Sequence, residues 1–403
     1  MSGVGITASE HFSIDSGAVT RVDRSQLNAP VPHVHLLSNG EMSSIVTAAG
    51  SGYVSWRQLA ATRWRADRTR DAEGYYLYLR DLETGEFWSA GYQPTLVEPD
   101  EYAAEFRPGV AEFNRVDAKL RCKLEICVAP DADVELRRCT VTNKSADARK
   151  IELTSYAELV LQDAAADAAH PAFSKLFVQT EFDPQSAVLF AQRRLRSSND
   201  QHIAACHFLS DGDDSSVAEF ESDRSKFKGL RRDTLAPAAL TTDSPLSGTT
   251  GSVLDPIASL RKVFILPPGA SACVTFILAV AEDRSCFQDQ IRRFRNPEEI
   301  DAAFASATEN ARRSWLDHGL TESDVTLTSE LASVLLYGRG SKFDSPEFIG
   351  DSGHTKAAEL LSEFTGLDPA LPLVTMTIQN ADHLPTADTL LKVSDYLRKH
   401  GLP

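Results

Sequence analysis

Four arginines, Arg63, Arg65, Arg68 and Arg70, alternate with Asp67 and Asp71 between Thr62 and Asp71, and one indole, Trp64, stands among them. Guanidinium forks present several donors in one plane, and an indole offers an apolar face with a polar handle. Together they suit the hydroxyls and ring faces of a sugar. The same spacing suits an internal ion-pair lattice that pins a long loop, because paired charges also serve structure. Both readings stay open. His33 and His35 stand two apart, so on a strand they share a face that a metal could use. No third ligand lies nearby, and we expect strand histidines bonded to their neighbours, with no metal or other cofactor. His170, ahead of Pro171 with Asp163 and Asp167 upstream, is placed to orient a loop. Nucleophilic serine chemistry finds no G-x-S-x-G, and Gly50-Ser51-Gly52 has neither the following Lys-Ser/Thr nor the helix of a phosphate loop.

Composition narrows the partners. The 403 residues carry 41 Lys+Arg against 57 Asp+Glu, a formal charge of −16. Phosphate contacts release counterions only at a cationic face, so nucleic acid is not an expected partner. With 42% hydrophobic and 24% charged residues the chain can bury a real core. The six cysteines form no C-x-x-C pair, and runs such as ACVTFILAV around Cys273 suggest buried, reduced thiols in a cytoplasmic protein. No apolar run is long enough to span a membrane, and Met1 to Glu10 lacks a basic then apolar leader pattern.

The elements that must position these residues are mainly strands. From about His33 to Val280 short runs of Val, Ile, Phe, Tyr, Leu and Thr alternate with turn residues at roughly ten-residue spacing, the rhythm of an antiparallel sandwich. Asn39-Gly40 predicts a type I′ hairpin, Leu82 to Gly85 a second turn, and Pro267-Pro268-Gly269 joins the last two strands. So many strands exceed an immunoglobulin-sized domain and predict one oversized two-sheet unit. At Asn296 the period changes. A cap, Pro297 and two glutamates open a helix that runs to Gly319, with Ile300, Phe304, Ala307, Ala311 and Trp315 on one face. Thr328 to Tyr337 and Thr386 to His400 read as two more helices, and Gly338 to Ser352 as a loop.

The run PHVHLLSNGEMSSIVTAAGSGYVSWRQLAATRWRADRTRD, Pro32 to Asp71, closely resembles the N-terminal module that precedes the catalytic barrel in family-94 glycoside phosphorylases, the former glycosyltransferase family 36. Within that family it is most similar to cyclic β-1,2-glucan synthases. The resemblance continues in order through YLRDLETGEFWSAGYQPT, ELTSYAELVL, HPAFSKLFVQTEF and VLDPIASLRK. It implies a large antiparallel β-supersandwich over residues 30–290 after an extension of 1–29, a linker helix at 291–320, and then a double-helical barrel carrying a general-acid Asp and a phosphate site. Only about eighty residues follow Gly319, whereas such a barrel needs several hundred. Residues 321–403 are therefore expected to be a short helical remnant of the barrel, least stable after about Arg339. The barrel's GLWPYGISGDLPI-like segment is replaced by Gly366-Leu367-Asp368-Pro369-Ala370-Leu371-Pro372-Leu373.

No acid here stands in a motif that the family uses for catalysis, so no catalytic residue is assigned. The resemblance implies a non-catalytic carbohydrate-associated module. It would touch β-glucan, an oligosaccharide or a neighbouring domain through Trp56, Arg63, Trp64, Arg65, Asp67, Arg68, Arg70, Asp71 and Trp88, with His170 at the domain interface. One alternative is a subunit that docks in trans on a separately made catalytic barrel. Another is a structural assembly domain, such as a homodimer, with no sugar affinity.

Overall fold

The computed structural model describes residues 19–337 and 378–402, apart from 28, 30, 66, 68–70, 72, 196–200, 213–218 and 379. Period-two alternation is realised as two nine-stranded sheets whose strand pairs are antiparallel. Numbered along the chain, the first sheet holds β1 (Thr20–Asp23), β8 (Glu101–Arg107), β9 (Val110–Asp117), β10 (Leu120–Val128) and β11 (Val134–Asn143). It is completed by β13 (Val178–Asp183), β14 (Val188–Arg193), β15 (Ala204–Ser210) and β18 (Ser271–Ala281), in the order β1-β8-β9-β10-β11-β18-β15-β14-β13. The second sheet contains β2 (Val34–Ser38), β3 (Met42–Thr47), β4 (Gly52–Trp56), β5 (Leu59–Thr62), β6 (Tyr76–Asp81) and β7 (Phe87–Ser89). To these it adds β12 (Arg149–Asp163), β16 (Glu219–Asp223) and β17 (Pro256–Leu266), running β16-β17-β12-β5-β4-β3-β2. Because β1 is the edge of the first sheet, that sheet begins within the expected extension of 1–29.

The 15-residue β12 is the strand on which the second sheet branches. One edge pairs with β17, while the other pairs with β6 along its first half and with β5 along its second. Its alternation sends Ile151, Leu153, Ala157 and Leu159 into the core between the sheets, against residues such as Leu79, Phe113 and Phe276. Each leucine so buried contributes roughly 1.5–3 kcal/mol. The other face carries Glu152, Thr154, Tyr156 and Glu158.

Helices cover the outer faces. Short α1 (Ala164–Ala169) and α2 (Pro171–Ser174) follow β12, and α3 (Arg224–Lys228) and α4 (Ala238–Thr241) lie near β6 and β17. Phe227 and Leu240 from this pair pack with Tyr76, Tyr78, Tyr156 and Ile257 in a small second core. After α5 (Gln288–Arg293), the Asn296 side chain caps α6 (Pro297–Asp317) by accepting from the Glu298 amide at 3.0 Å. The α6 residues Ile300, Ala303, Phe304 and Ala307 pack on the outer face of the first sheet. Gly109 permits that approach, since a Cβ there would meet the Ala307 carbonyl oxygen at 2.3 Å.

Three expectations need correction. The β2–β3 turn is not type I′, which requires positive φ at both central residues. Only Gly40 has it, at 98°, and the Asn39 side chain instead accepts from the amides of Glu41 and Met42 at 3.0 and 2.7 Å. Cys273 and Cys286 are exposed, Cys273 because alternation along β18 turns it to the outer face while Ala272 and Val274 face the core between the sheets; Cys122, Cys127, Cys139 and Cys206 are buried free thiols. The C-terminal residues are also more than a loose remnant. Helices α7 (Glu322–Tyr337) and α8 (Leu384–Lys399) share a core with Val34, Ile45 and Trp315, burying Val393, Tyr396 and Leu397. Trp315 Nε1 donates to Tyr396 Oη at 3.1 Å and Ser43 Oγ to the His400 carbonyl at 2.7 Å, tying α8 to α6 and to β3. The stretches 338–352 and 366–373 lie outside the described residues.

Candidate functional site

On the outer face of the second sheet, the two carboxylate oxygens of Glu158 are met from three directions. At the end of β5 the Arg63 amide donates to the Glu158 carbonyl at 2.9 Å, extending the ladder and setting the arginine side chain beside the glutamate. Arg63 Nη1 lies 2.9 Å from Glu158 Oε2, and its Nε and Nη2 fork onto Asp167 of α1 at 3.0 and 2.9 Å. From α3, Arg224 reaches Glu158 Oε2 at 3.2 Å and Lys228 reaches Oε1 at 3.0 Å. Tyr156, two residues back on the same face, donates its hydroxyl to Oε1 at 2.7 Å. Asp255 extends the lattice, accepting from Arg224 Nη2 at 2.7 Å and pairing with Lys175.

Burial by itself would raise the Glu158 pKa. The charges of Lys228, Arg224 and Arg63 and the Tyr156 hydroxyl outweigh it and hold the carboxyl well below the ordinary glutamate value. The group is thereby held as an anion and serves as a hydrogen-bond acceptor for its three basic neighbours. Glu73 is shifted the other way, raised by its own burial and by Glu158 against the opposing charges of Arg65, Arg63 and Lys228. Both carboxylates line a cavity of about 280 Å³, together with Arg63, Arg65 and Asp67, with Tyr76 and Tyr156 from the sheet, and with Arg224, Lys228 and Asp233. Its chemistry is that of dense, fixed hydrogen-bonding groups of both signs.

The residues expected to act together are separated. Arg63, Arg65 and Asp67 reach this cavity, while Arg68 and Arg70 lie outside the described residues. Trp64 stacks on Tyr53 (centroids 5.1 Å apart) and meets Tyr337 edge-on at 5.7 Å, beneath α7. Asp71 is buried there, accepting from Ser51 Oγ at 2.5 Å, Tyr337 Oη at 2.8 Å and Thr47 Oγ1 at 3.2 Å. Trp56 and Trp88 belong to the core between the sheets. The inward half of β4 carries Trp56, whose Nε1 donates to Asp133 at 2.7 Å while the Arg57 guanidinium covers its ring at 4.4 Å. Contact with a glycan at Trp56, Trp88 or Asp71 is therefore corrected, since none of the three presents a surface. His170 is exposed at the joint of α1 and α2, its carbonyl accepting from the Ser174 amide at 2.9 Å. His35 is a strand histidine stacked on Phe106, bonded through Nε2 to the Arg107 carbonyl at 2.9 Å and lowered to about 4 by burial.

Sequence reasoning passed over Glu158, Tyr76, Glu73, Arg224 and Lys228. One signal was present: E-L-T-S-Y-A-E puts Glu152, Thr154, Tyr156 and Glu158 at every second position, a polar face too regular for a solvent edge within an apolar strand.

Comparison with known proteins places the chain among its relatives. The model of the glycosyl hydrolase 94 supersandwich domain matches residues 18–297. The cyclic β-(1,2)-glucan synthase NdvB of Rhizobium meliloti is 33% identical over 373 residues, covering 91% of this chain and 13% of that protein. The N,N'-diacetylchitobiose phosphorylase of Vibrio furnissii is 26% identical over 71% of this chain and 35% of its own length. The solabiose phosphorylase of Paenibacillus borealis is 24% identical, over 76% of this chain and 38% of its own. The chain thus spans well under half the length of each of these relatives. By the extent of the domain match, which takes in both sheets and reaches Pro297 at the start of α6, the chain belongs to the glycosyl hydrolase 94 supersandwich family.

Proposed function

We propose that this chain is a carbohydrate-associated module of a cyclic β-1,2-glucan synthase or glycoside phosphorylase-type protein, contributing binding and not bond cleavage. The observation that carries the reading is the likeness to a cyclic β-(1,2)-glucan synthase along 91% of the chain. The polar cavity beside Glu158 supports it, being built of donors and acceptors around a carboxylate held ionised by its basic neighbours. We also place the module in the cytoplasm, where its free thiols would stay reduced. Among the described residues no helix is long and apolar enough to cross a membrane. Isothermal titration with linear and cyclic β-1,2-glucans, run beside a phosphorolysis assay, tests the proposal. Binding without turnover is the expected result; robust release or consumption of phosphate by the chain alone sinks the non-catalytic half.

A second reading has its own observation. Leu316 of α6 and Leu384 and Leu391 of α8 are exposed apolar residues, as docking on a separately made catalytic barrel would require. Co-purification of the chain with such a barrel favours that in-trans role, and a stable homodimer without sugar affinity favours a purely structural one.

A further inference from the structure

We propose that the cavity beside Glu158 is a subsite for one neutral pyranosyl unit of a glucan, an assignment that rests on the carbohydrate reading above. Two buried polar atoms, Tyr76 Oη and Glu73 Oε2, have no hydrogen-bond partner among the described residues, and both residues line this cavity. Unpartnered buried groups are costly and require an explanation. Tyr75 Oη and Trp88 Nε1 are also unpartnered, but neither residue lines the cavity. Tyr76 and Glu73 differ in sharing one space that a ligand can enter.

Gly74 lets the backbone pack closely on the phenol of Tyr76. A Cβ at this position would sit 2.9 Å from Cζ and 3.0 Å from Oη of Tyr76, so a larger residue there would displace the hydroxyl. Part of the lining is already fixed. Arg63 and Glu158 are held by the Asp167, Arg224 and Lys228 pairs, so they can meet a ligand without being ordered first. At ~30 Å³ per water the cavity holds on the order of ten waters, a volume that suits one sugar ring.

Charge selects the ligand class. Among the described residues the lining has four basic and four acidic side chains, which together offer no net attraction to phosphate or to a cation. What it offers is alternating donors and acceptors, which match a ring of neutral hydroxyls. The Tyr76 hydroxyl donates to a sugar oxygen and Glu73 Oε2 accepts from a sugar hydroxyl.

The test titrates the full chain with a short linear β-1,2-gluco-oligosaccharide and with inorganic phosphate, in the wild type and in the Tyr76→Phe and Gly74→Ala variants. Tyr76→Phe is expected to weaken oligosaccharide binding about tenfold. Its melting temperature should not fall, because the removed hydroxyl makes no internal bond. Gly74→Ala places a methyl against the Tyr76 phenol, displaces its hydroxyl and should abolish binding. Phosphate should not bind. If the oligosaccharide binds all three proteins equally, the subsite assignment is overturned while the carbohydrate reading survives. If it binds none of them, wild type included, both fall. Phosphate binding that Tyr76→Phe removes would overturn the neutral-ligand class.

Discussion

Glu158 and Asp71 are two buried carboxylates at either end of one stretch of chain contacts, the first reached by Arg63 and the second under Tyr337, yet they ionise in opposite directions. Glu158 is met by Arg63, Arg224 and Lys228 and is held far below its ordinary value. Asp71 accepts from the Ser51, Tyr337 and Thr47 hydroxyls, and its pKa is raised because burial outweighs those three bonds. Hydroxyl dipoles therefore fail to replace the hydration of a buried anion where formal charges succeed. The consequences for stability have opposite signs. What Glu158 contributes is complete above its unfolded value near 4.5 and is lost as pH falls through the depressed folded value. Asp71 acts in reverse: above its unfolded value near 3.8, stability declines as pH rises through the elevated folded value. Acid loosens the ion-pair lattice and stabilises the Asp71 hydroxyl cluster.

The comparison can be broken most forcefully at Glu158. Glu158→Gln leaves three basic groups beside a neutral amide and is expected to cost about 3–5 kcal/mol in urea unfolding at pH 7. A loss below ~1 kcal/mol would mean that the lattice is no stronger than a surface pair. Next comes Leu397→Ala in α8, at about 2–5 kcal/mol, since Leu397 is fully buried in the core that covers the Asp71 region. Hydrogen exchange complements it. Amides from Thr386 to His400 should be protected nearly as well as those from Ala272 to Val280, and rapid local exchange there would restore the loose-remnant expectation. Tyr337→Phe removes one donor from Asp71 and should cost about 1 kcal/mol while raising the aspartate pKa further, measurable by NMR titration. The smallest effect belongs to Asp71→Asn, within ~1 kcal/mol at any pH. Its signature is a slope: relative to the variant, the wild type should lose stability as pH rises above about 4 through the raised folded value, and parallel curves would contradict the raised ionisation.

How much of this was legible depended on sequence distance. The Asn296 cap, the mainly β two-sheet architecture and the period of α6 are written in neighbouring residues and were readable. The type I′ turn was misread because the strand register, with Asn39 paired to Met42, makes Gly40 and Glu41 the central residues in place of Asn39 and Gly40. At the site, the arginine-rich stretch marked the right loop, but alternation sends Arg63 and Trp64 to different neighbours. Lys228 and Arg224 lie some seventy residues from Glu158, and only the folded sheet brings them within 3.2 Å. Burial of Trp56 and Trp88 was equally hidden, because an indole reads the same in sequence whether its face meets a sugar or the opposite sheet.

The branching of β12 also imposes a schedule on synthesis. Its partners β5 and β6 leave the ribosome before it, whereas Ile257, which pairs with Glu158, follows about a hundred residues later. At ~5–20 residues per second that interval lasts roughly 5–20 s. For those seconds one side of β12 is an open sheet edge, and such edges recruit strands from other chains. The speed of translation between Glu158 and Ile257 thus sets how long each nascent copy is vulnerable to misassembly.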